Sequence, residues 1–277
     1  GLHYLHTKQV LNKKINVLVE KPAALIPSQA WELSILAKKK KLLYVVAFQN
    51  RLNLSIICLK EAINKKRLGR IITSSINLRW CRLQEYYNDD WHGTWKHDGG
   101  VINQQAIHHI DVMNWLLGPI TEVCSIGGNL SNNLEAEDTM VAIIKFENGS
   151  LGTIEATTAL RPKDFEASIT VLGDKGIATI GGIALNKIER WVLQDSKYSE
   201  KYIIHKYSQD VPNGYGLSHG PFLQNVVINL LEGSIEPPVP AKDGILTSKI
   251  IHSLYASYEK KSWIRIKDNI KSQKLGL

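Results

Sequence analysis

Cysteine is scarce in this chain: Cys58, Cys81 and Cys124 are the only three in 277 residues, and no C-x-x-C pair occurs. That excludes a zinc knuckle or a vicinal redox pair, and an odd, widely spaced set reads as reduced thiols of a cytoplasmic protein. No apolar run approaches the roughly 18–20 residues of a membrane span, and no early apolar stretch with a small-residue cleavage site marks a signal peptide. An H-E-x-x-H metal motif is missing, and so is the G-x-G-x-x-G turn that cradles a pyrophosphate. Acidic residues are in deficit, 26 against 34 Lys and Arg, for a net charge of +8. The lysines are scattered, however. Their one dense run, Lys38–Lys41, ends an expected helix, where cations suit the dipole. Neither nucleic acid nor a membrane is therefore expected as a partner, and a small anionic substrate accounts for the excess as well.

What is present changes character along the chain. The first third alternates helix and strand: a helix over 3–14, a continuous apolar strand over 15–19, a helix from Pro27-Ser28 to Lys41 with Ser28 as its cap, and an apolar strand over 42–48. This is a βαβ unit with a right-handed crossover. A helix over 54–66 stops at Gly69. Strands follow over 71–80, 122–129, 139–146 and 150–159, the last two joined by Asn148-Gly149, a strong hairpin signal. A second hairpin, 166–172 with 177–180, turns across Gly173–Gly176. Helices over 222–232 and 245–260 and a strand over 263–266 complete the chain. The fold class is α/β followed by α+β, a partial Rossmann-like parallel domain plus an open, mainly antiparallel sheet domain.

Two places could carry chemistry. Glu20-Lys21-Pro22 stands at the carboxyl end of a buried strand, where ligands of open parallel sheets bind. Lysine there can orient or polarise an oxygen, although a charged strand-to-helix loop looks the same. The segment from Asp98-Gly99-Gly100 through His108-His109-Ile110-Asp111 reads as a helix leading to Gly118-Pro119. Ile102, Ala106, Ile110, Met113 and Leu117 form an apolar stripe on it, and Gln104, His108 and Asp111 a polar one. Histidine can exchange a proton near neutrality, an amide one turn earlier can hold a hydroxyl, and Asp111 can orient the helix. A metal is not expected, because adjacent His108 and His109 point about 100° apart on a helix. Trp91-His92-Gly93-Thr94-Trp95 reads either as a wall for a flat ligand or as a loop anchor. His219 is a further candidate contact.

Taken together these residues resemble the glucose–fructose oxidoreductase/inositol dehydrogenase (Gfo/Idh/MocA) family. The features that carry the resemblance are Gly1-Leu2-His3-Tyr4, Val19-Glu20-Lys21-Pro22, Phe48-Gln49-Asn50-Arg51, Leu68-Gly69-Arg70-Ile71, Asp98-Gly99-Gly100 and His108-His109-Ile110-Asp111. Within the family, Trp91-His92-Gly93-Thr94-Trp95 before Asp98-Gly99-Gly100 is similar to the branch acting on nucleotide-activated amino sugars, such as UDP-N-acetylglucosamine 3-dehydrogenases and their uronic-acid relatives. The resemblance implies NAD, with NADP open, as cofactor and oxidation of a sugar hydroxyl, at C3, for surface polysaccharide synthesis. It implies Lys21 and His108 as catalytic residues, His108 being the general base. It also implies Gln104, Asn103, Arg51, Trp91 and His219 around the substrate, Glu20, Lys21, Pro22 and Gln49 around the cofactor, a cis bond before Pro22, and a homodimer or homotetramer. Residues 1–52 correspond to the C-terminal remnant of the dinucleotide-binding domain and 53–277 to the substrate and oligomerisation domain.

Two departures accompany the resemblance. Gln104 stands where the family commonly carries Asp and the amino-sugar branch Asn. The phosphate-binding turn, with roughly two βαβ units, is expected before Gly1. Two alternatives therefore stay open: a dehydrogenase of a free sugar or a polyol such as inositol, and an inactive truncated chain serving as a binding or assembly subunit.

Overall fold

The computed structural model describes residues 1–267 and 269–277. Helix and strand alternate at first: α1 (His3–Asn12), β1 (Val17–Val19), α2 (Pro27–Lys40) and β2 (Tyr44–Val46). β1 and β2 pair in parallel, Val17 opposite Tyr44 and Val19 opposite Val46. Parallel neighbours need a crossover, and α2 supplies it. Ser28 does not cap α2. Its boundary residue is Ile26, and Pro27 takes the first helical position with no side-chain cap. Proline's fixed φ and missing N–H suit that position, which moves the start upstream of the serine.

A 3-10 turn, Gln49–Leu52, and α3 (Leu54–Asn64) lead into β3 (Ile71–Arg79). A second 3-10 turn, Gln84–Tyr87, precedes α4 (Val101–Gln104) and α5 (Ile107–Leu117). The strands β4 (Ile120–Gly128), β5 (Thr139–Phe146), β6 (Leu151–Thr157), β7 (Glu166–Gly173), β8 (Gly176–Gly181) and β9 (Lys187–Leu193) come next, then α6 (Glu200–Tyr207), α7 (His219–Leu231), α8 (Ala241–Lys260) and β10 (Ile264–Arg265). Both expected hairpins form. Gly149 turns β5 into β6 at φ +84°, in the left-handed region that glycine enters without a Cβ penalty. β9 and α6 are additions to the elements expected from the sequence. In β9, charged Lys187, Glu189 and Arg190 interrupt the apolar alternation, which suits an edge strand, while Ile188, Trp191 and Leu193 are buried.

Eight strands make one sheet in the order β10-β4-β5-β6-β3-β7-β8-β9. All neighbours are antiparallel except β3 and β6, which run parallel. α5 packs against β3 and β7, and α8 against β4 and β2, so the two helices join the large sheet to the small parallel one. The inner face buries Ile76, Leu78, Ile154, Ile169, Val171 and Ile180. The outer face leaves Ile126, Val141, Ile143, Leu151, Ile177 and Val192 exposed. Among the described residues no helix is long and apolar enough to cross a membrane.

The expected helix over 102–117 is broken. The Ala106 N–H reaches back five residues to the Val101 carbonyl, at 2.8 Å, before α5 begins. Such a widened turn inserts a residue and rotates the next helical segment by about 100°. The apolar stripe survives, Ile102, Ala106, Ile110 and Met113 all being fully buried. The polar stripe does not: Asp111 leaves the face shared by Gln104 and His108 and pairs with Arg51.

Candidate active site

Lys21 follows β1 at its carboxyl end, in a turn whose Lys21–Pro22 peptide is cis and whose Pro22 carbonyl is 2.7 Å from His3 Nδ1. The ammonium crosses to α4, where Nζ donates to the Gln104 carbonyl at 2.5 Å and to Gln104 Oε1 at 2.8 Å. Enclosure lowers the Lys21 pKa to about 8, opposed in part by the charges of Asp98 and Glu20. Thus a residue from the parallel sheet and one from the widened helical turn are tied together by a charge-assisted bond.

His108, one residue into α5, faces the same space. Its ring meets Phe48 edge-on at 6.1 Å, and its Nδ1 is buried without a hydrogen-bond partner among the described residues. Burial, and then the positive charge of Lys21, holds its pKa well below the ordinary histidine value. His108 is therefore a neutral imidazole at pH 7, able to accept a proton. Neighbouring His109 is lowered to about 4 by burial and meets Trp80 edge-on at 6.3 Å.

Lys21, Gln104 and His108 share one cleft of about 250 Å³. Gln49 lines it too, with its Oε1 buried and unpartnered, as do Asn50 and Gln105. Among the described residues the side-chain amide of Gln105 lacks a partner at both ends. Buried polar atoms without partners are uncommon in proteins, and their concentration here makes the cleft a candidate place for a polar ligand. The opposite wall is Trp80, Arg82, Tyr86 and Asp164, with Asn213-Gly214-Tyr215 laid across it.

The remaining expected contacts fall outside the cleft. Arg51 is buried in an ion cluster: Nε and Nη2 donate to both Asp111 oxygens and Nη1 to Asp243, each at 2.7 Å. Two carboxylates consume its whole fork, so it fixes α5 against α8 and is not turned to a substrate. Asn103 is buried, its Nδ2 donating to the Asp98 carbonyl at 2.5 Å, which closes the loop before α4. Trp91 is exposed and stacks on His92 at 3.5 Å; His92 in turn lies on Tyr86 at 4.2 Å, so Trp91 backs the wall at one remove. His219 opens α7 outside the lining, its Nε2 3.9 Å from Glu20 Oε1. Glu20 and Pro22 frame the Lys21 turn without lining the cleft. Among the described residues no three His, Cys, Asp or Glu side chains gather to hold a metal ion.

Sequence reasoning missed Trp80, Arg82, Tyr86 and Asp164. Arg82 and Tyr86 sit just beyond the end of β3, and long-range contacts such as the Cys81–Ala159 bridge and the Cys81 N–H bond to Asp164 bring residues 80–86 and 159–164 together. The Gly214-Tyr215-Gly216 turn is visible in the sequence as a turn, without a sign that it faces this wall.

Comparison with known proteins places these features in context. A model described as "Oxidoreductase family, C-terminal alpha/beta domain" matches residues 60–266, and one described as "Oxidoreductase family, NAD-binding Rossmann fold" matches residues 1–48. The WlbA dehydrogenase of Bordetella pertussis, solved in complex with NADH and UDP-GlcNAcA, is 32% identical with a TM-score of 0.90, covering 96% of this chain and 77% of that one. WlbA from Chromobacterium violaceum, also with NADH and UDP-GlcNAcA, is 32% identical with a TM-score of 0.88, covering 97% and 75%. The D-glucoside 3-dehydrogenase of Escherichia coli is 25% identical over 243 residues, 76% of this chain and 68% of its own length. Other curated relatives are matched over less than half their length, the scyllo-inositol 2-dehydrogenase (NAD(+)) of Bacillus subtilis over 48% at 26% identity.

Proposed function

This chain belongs to the Gfo/Idh/MocA oxidoreductase family, whose N-terminal part binds NAD, and from that premise we propose that its cleft oxidises a hydroxyl of a nucleotide-activated amino sugar, at C3. The observation that carries the reading is the meeting of Lys21 and a neutral His108 in one cleft. Similarity to two dehydrogenases solved with UDP-GlcNAcA favours the nucleotide sugar over a free one.

The residues present fit the nicotinamide end of the cofactor: the Glu20-Lys21-Pro22 turn closes a parallel strand and Gln49 offers an unpartnered buried oxygen. They include no G-x-G-x-x-G turn for the pyrophosphate. When bound, the nicotinamide supplies the hydride acceptor. In this reading His108 takes the hydroxyl proton on its imidazole, which is free to accept it because it is uncharged. Lys21, held by Gln104, orients the same oxygen and stabilises the negative charge that grows on it as the proton leaves. Gln104 thus acts mainly by fixing Lys21, which an amide does as well as a carboxylate without cancelling the ammonium charge.

By the same reading the product feeds surface polysaccharide synthesis in the cytoplasm, and the chain works as a homodimer or homotetramer through the outer sheet face. Residues 1–52 serve the cofactor and 53–277 the substrate and assembly.

The test is NADH binding by fluorescence with UDP-N-acetylglucosamine, its uronic acid, a methyl glucoside or inositol, followed by turnover. Ligand-dependent NADH binding and turnover with a UDP sugar alone are expected. Turnover with the glucoside or inositol but not the UDP sugars would move the substrate to the free-sugar class. Sugar-nucleotide binding with no nicotinamide-dependent turnover would leave a binding or assembly subunit.

A further inference from the structure

Two arginines of this chain, Arg51 and Arg79, share one pattern of pairing. Arg51 spends its Nε and Nη2 on Asp111 and its Nη1 on Asp243. Arg79 spends Nε and Nη2 on Glu155, at 2.6 and 2.7 Å, and Nη1 on Glu166 at 2.7 Å. In each, one carboxylate takes the planar two-nitrogen edge and a second takes the remaining nitrogen. The guanidinium matches a carboxylate or phosphate at that edge through two parallel bonds.

Arg82 has half of this arrangement. Its Nη1 donates to Asp164 Oδ1 at 3.0 Å and to the Cys81 carbonyl at 2.6 Å. Asp164 is itself shared with the Cys81 N–H, at 2.7 Å. The Nε and Nη2 edge has no partner among the described residues. The guanidinium lies over Trp80 at 5.0 Å and Tyr86 at 5.7 Å, which fix its plane, and it lines the cleft that holds Lys21 and His108. Gly214 rests against Trp80, where a Cβ would come within 3.3 Å of the indole, so the turn that lines the cleft packs closely on this wall. Lys21 and Arg82 bring two positive charges to the lining and Asp164 one negative, leaving it cationic.

We propose that Arg82 is a specificity residue whose open edge receives a planar or tetrahedral anionic group of the substrate, a carboxylate or a phosphate, away from the hydroxyl that reacts. This rests on the sugar-nucleotide reading and adds to it the residue that selects charged over neutral sugars. The ring faces of Trp80 and Tyr86 hold the guanidinium in one orientation, so the anion is read by shape as well as by charge.

The test compares wild type, Arg82→Gln and Arg82→Lys by calorimetric titration in the presence of NADH. The probes are UDP-N-acetylglucosamine, which carries phosphates alone, glucuronic acid, which carries a carboxylate alone, and a neutral methyl glucoside. Arg82→Gln is expected to weaken at least one anionic probe by about tenfold or more, the loss of a charge-assisted pair, while the glucoside changes less than about twofold. Arg82→Lys is expected to recover little, because an ammonium cannot fill a two-nitrogen edge. Whichever anionic probe responds identifies the phosphate or the carboxylate as the group received. Unchanged binding of UDP-N-acetylglucosamine and glucuronic acid in Arg82→Gln would overturn the role of Arg82 and leave the sugar-nucleotide reading standing. Equal weakening of all three probes would overturn it too, as a general loss of cleft shape. Wild-type protein that binds no anionic probe would overturn both.

Discussion

His108 and Lys21 have opposite needs that one cleft meets. In the proposed reaction the histidine must be neutral to take a proton and the lysine charged to steady an oxyanion. Burial and the neighbouring ammonium keep the imidazole deprotonated below its ordinary range, while Lys21 stays protonated up to about 8. Turnover by the enzyme is therefore expected to hold through neutral pH and to fall as pH rises past about 8, where Lys21 loses its charge. A pH profile of kcat/KM checks this, and a rate that keeps rising to pH 10 would remove Lys21 from the reaction. His108→Ala is expected to lower kcat by about 10²–10⁴-fold with little change in ligand binding, the usual worth of a general base. Arg51 tests a structural part instead. Replacing it with Ala leaves Asp111 buried and unpaired, and a loss of about 3–5 kcal/mol is expected in denaturant unfolding.

At the level of elements, the short stretch 98–106 decides how the site is aimed. Gly100 lies against the Glu137 backbone carbonyl and carboxylate, where a Cβ has no room. Glu137 Oε1 accepts from the Ile102 N–H at 3.0 Å and from Tyr255 at 3.1 Å, so a loop between β4 and β5 and a helix at the chain's end both hold the start of α4. Gly100→Ala should cost about 1–3 kcal/mol through overpacking and displace Gln104, raising KM as well as lowering stability. Burial lifts the Glu137 carboxyl to about 8, far above the ordinary glutamate value. The folded state then keeps a proton that the unfolded state releases near pH 4.5. Stability is lost as pH rises from about 4.5 to about 8, by at most about 1.4 kcal/mol per unit. Glu137→Gln keeps the Ile102 and Tyr255 bonds at Oε1 and should flatten that slope. Melting curves across pH 5–8 compare the two, and identical slopes would count against a neutral Glu137.

On the scale of the molecule, one sheet face is covered by α5 and α8 and the other carries exposed Ile126, Val141, Ile143, Leu151, Ile177 and Val192. The register places Ile126 beside Val141 and Ile177 beside Val192, so the apolar groups flank a polar centre that includes the Arg79–Glu155–Glu166 cluster. A patterned face of this kind suits a second copy of the chain. Val141→Glu with Ile143→Lys is expected to shift sedimentation toward monomer without altering the circular dichroism spectrum. An unchanged sedimentation coefficient would overturn this face as an assembly surface.

The sequence by itself determined the periodic parts of this protein. Alternation and turn chemistry fixed the two hairpins at Asn148-Gly149 and Gly173–Gly176, and the strand ending in Glu20-Lys21-Pro22 marked the turn that carries Lys21 into the cleft. Lys21, Gln104 and His108 were legible because each stands in a local motif whose chemistry depends on a few neighbours, while Gln49 was named through the family resemblance alone. The parallel pairing of β3 with β6, the edge strand β9 and the widened turn at Gln105-Ala106 were settled by packing between segments far apart in the chain. That turn sent Asp111 to Arg51 and took Arg51 out of the site. Arg82 came into the cleft only because the end of β3 meets the segment after β6, bringing Asp164 beside it. A charged fork is read as structural or ligand-binding by how many of its nitrogens find partners, and those partners lie dozens of residues away. Local patterning decides what each segment is; the long-range closure of the sheet decides which polar groups are satisfied and which are left facing a ligand.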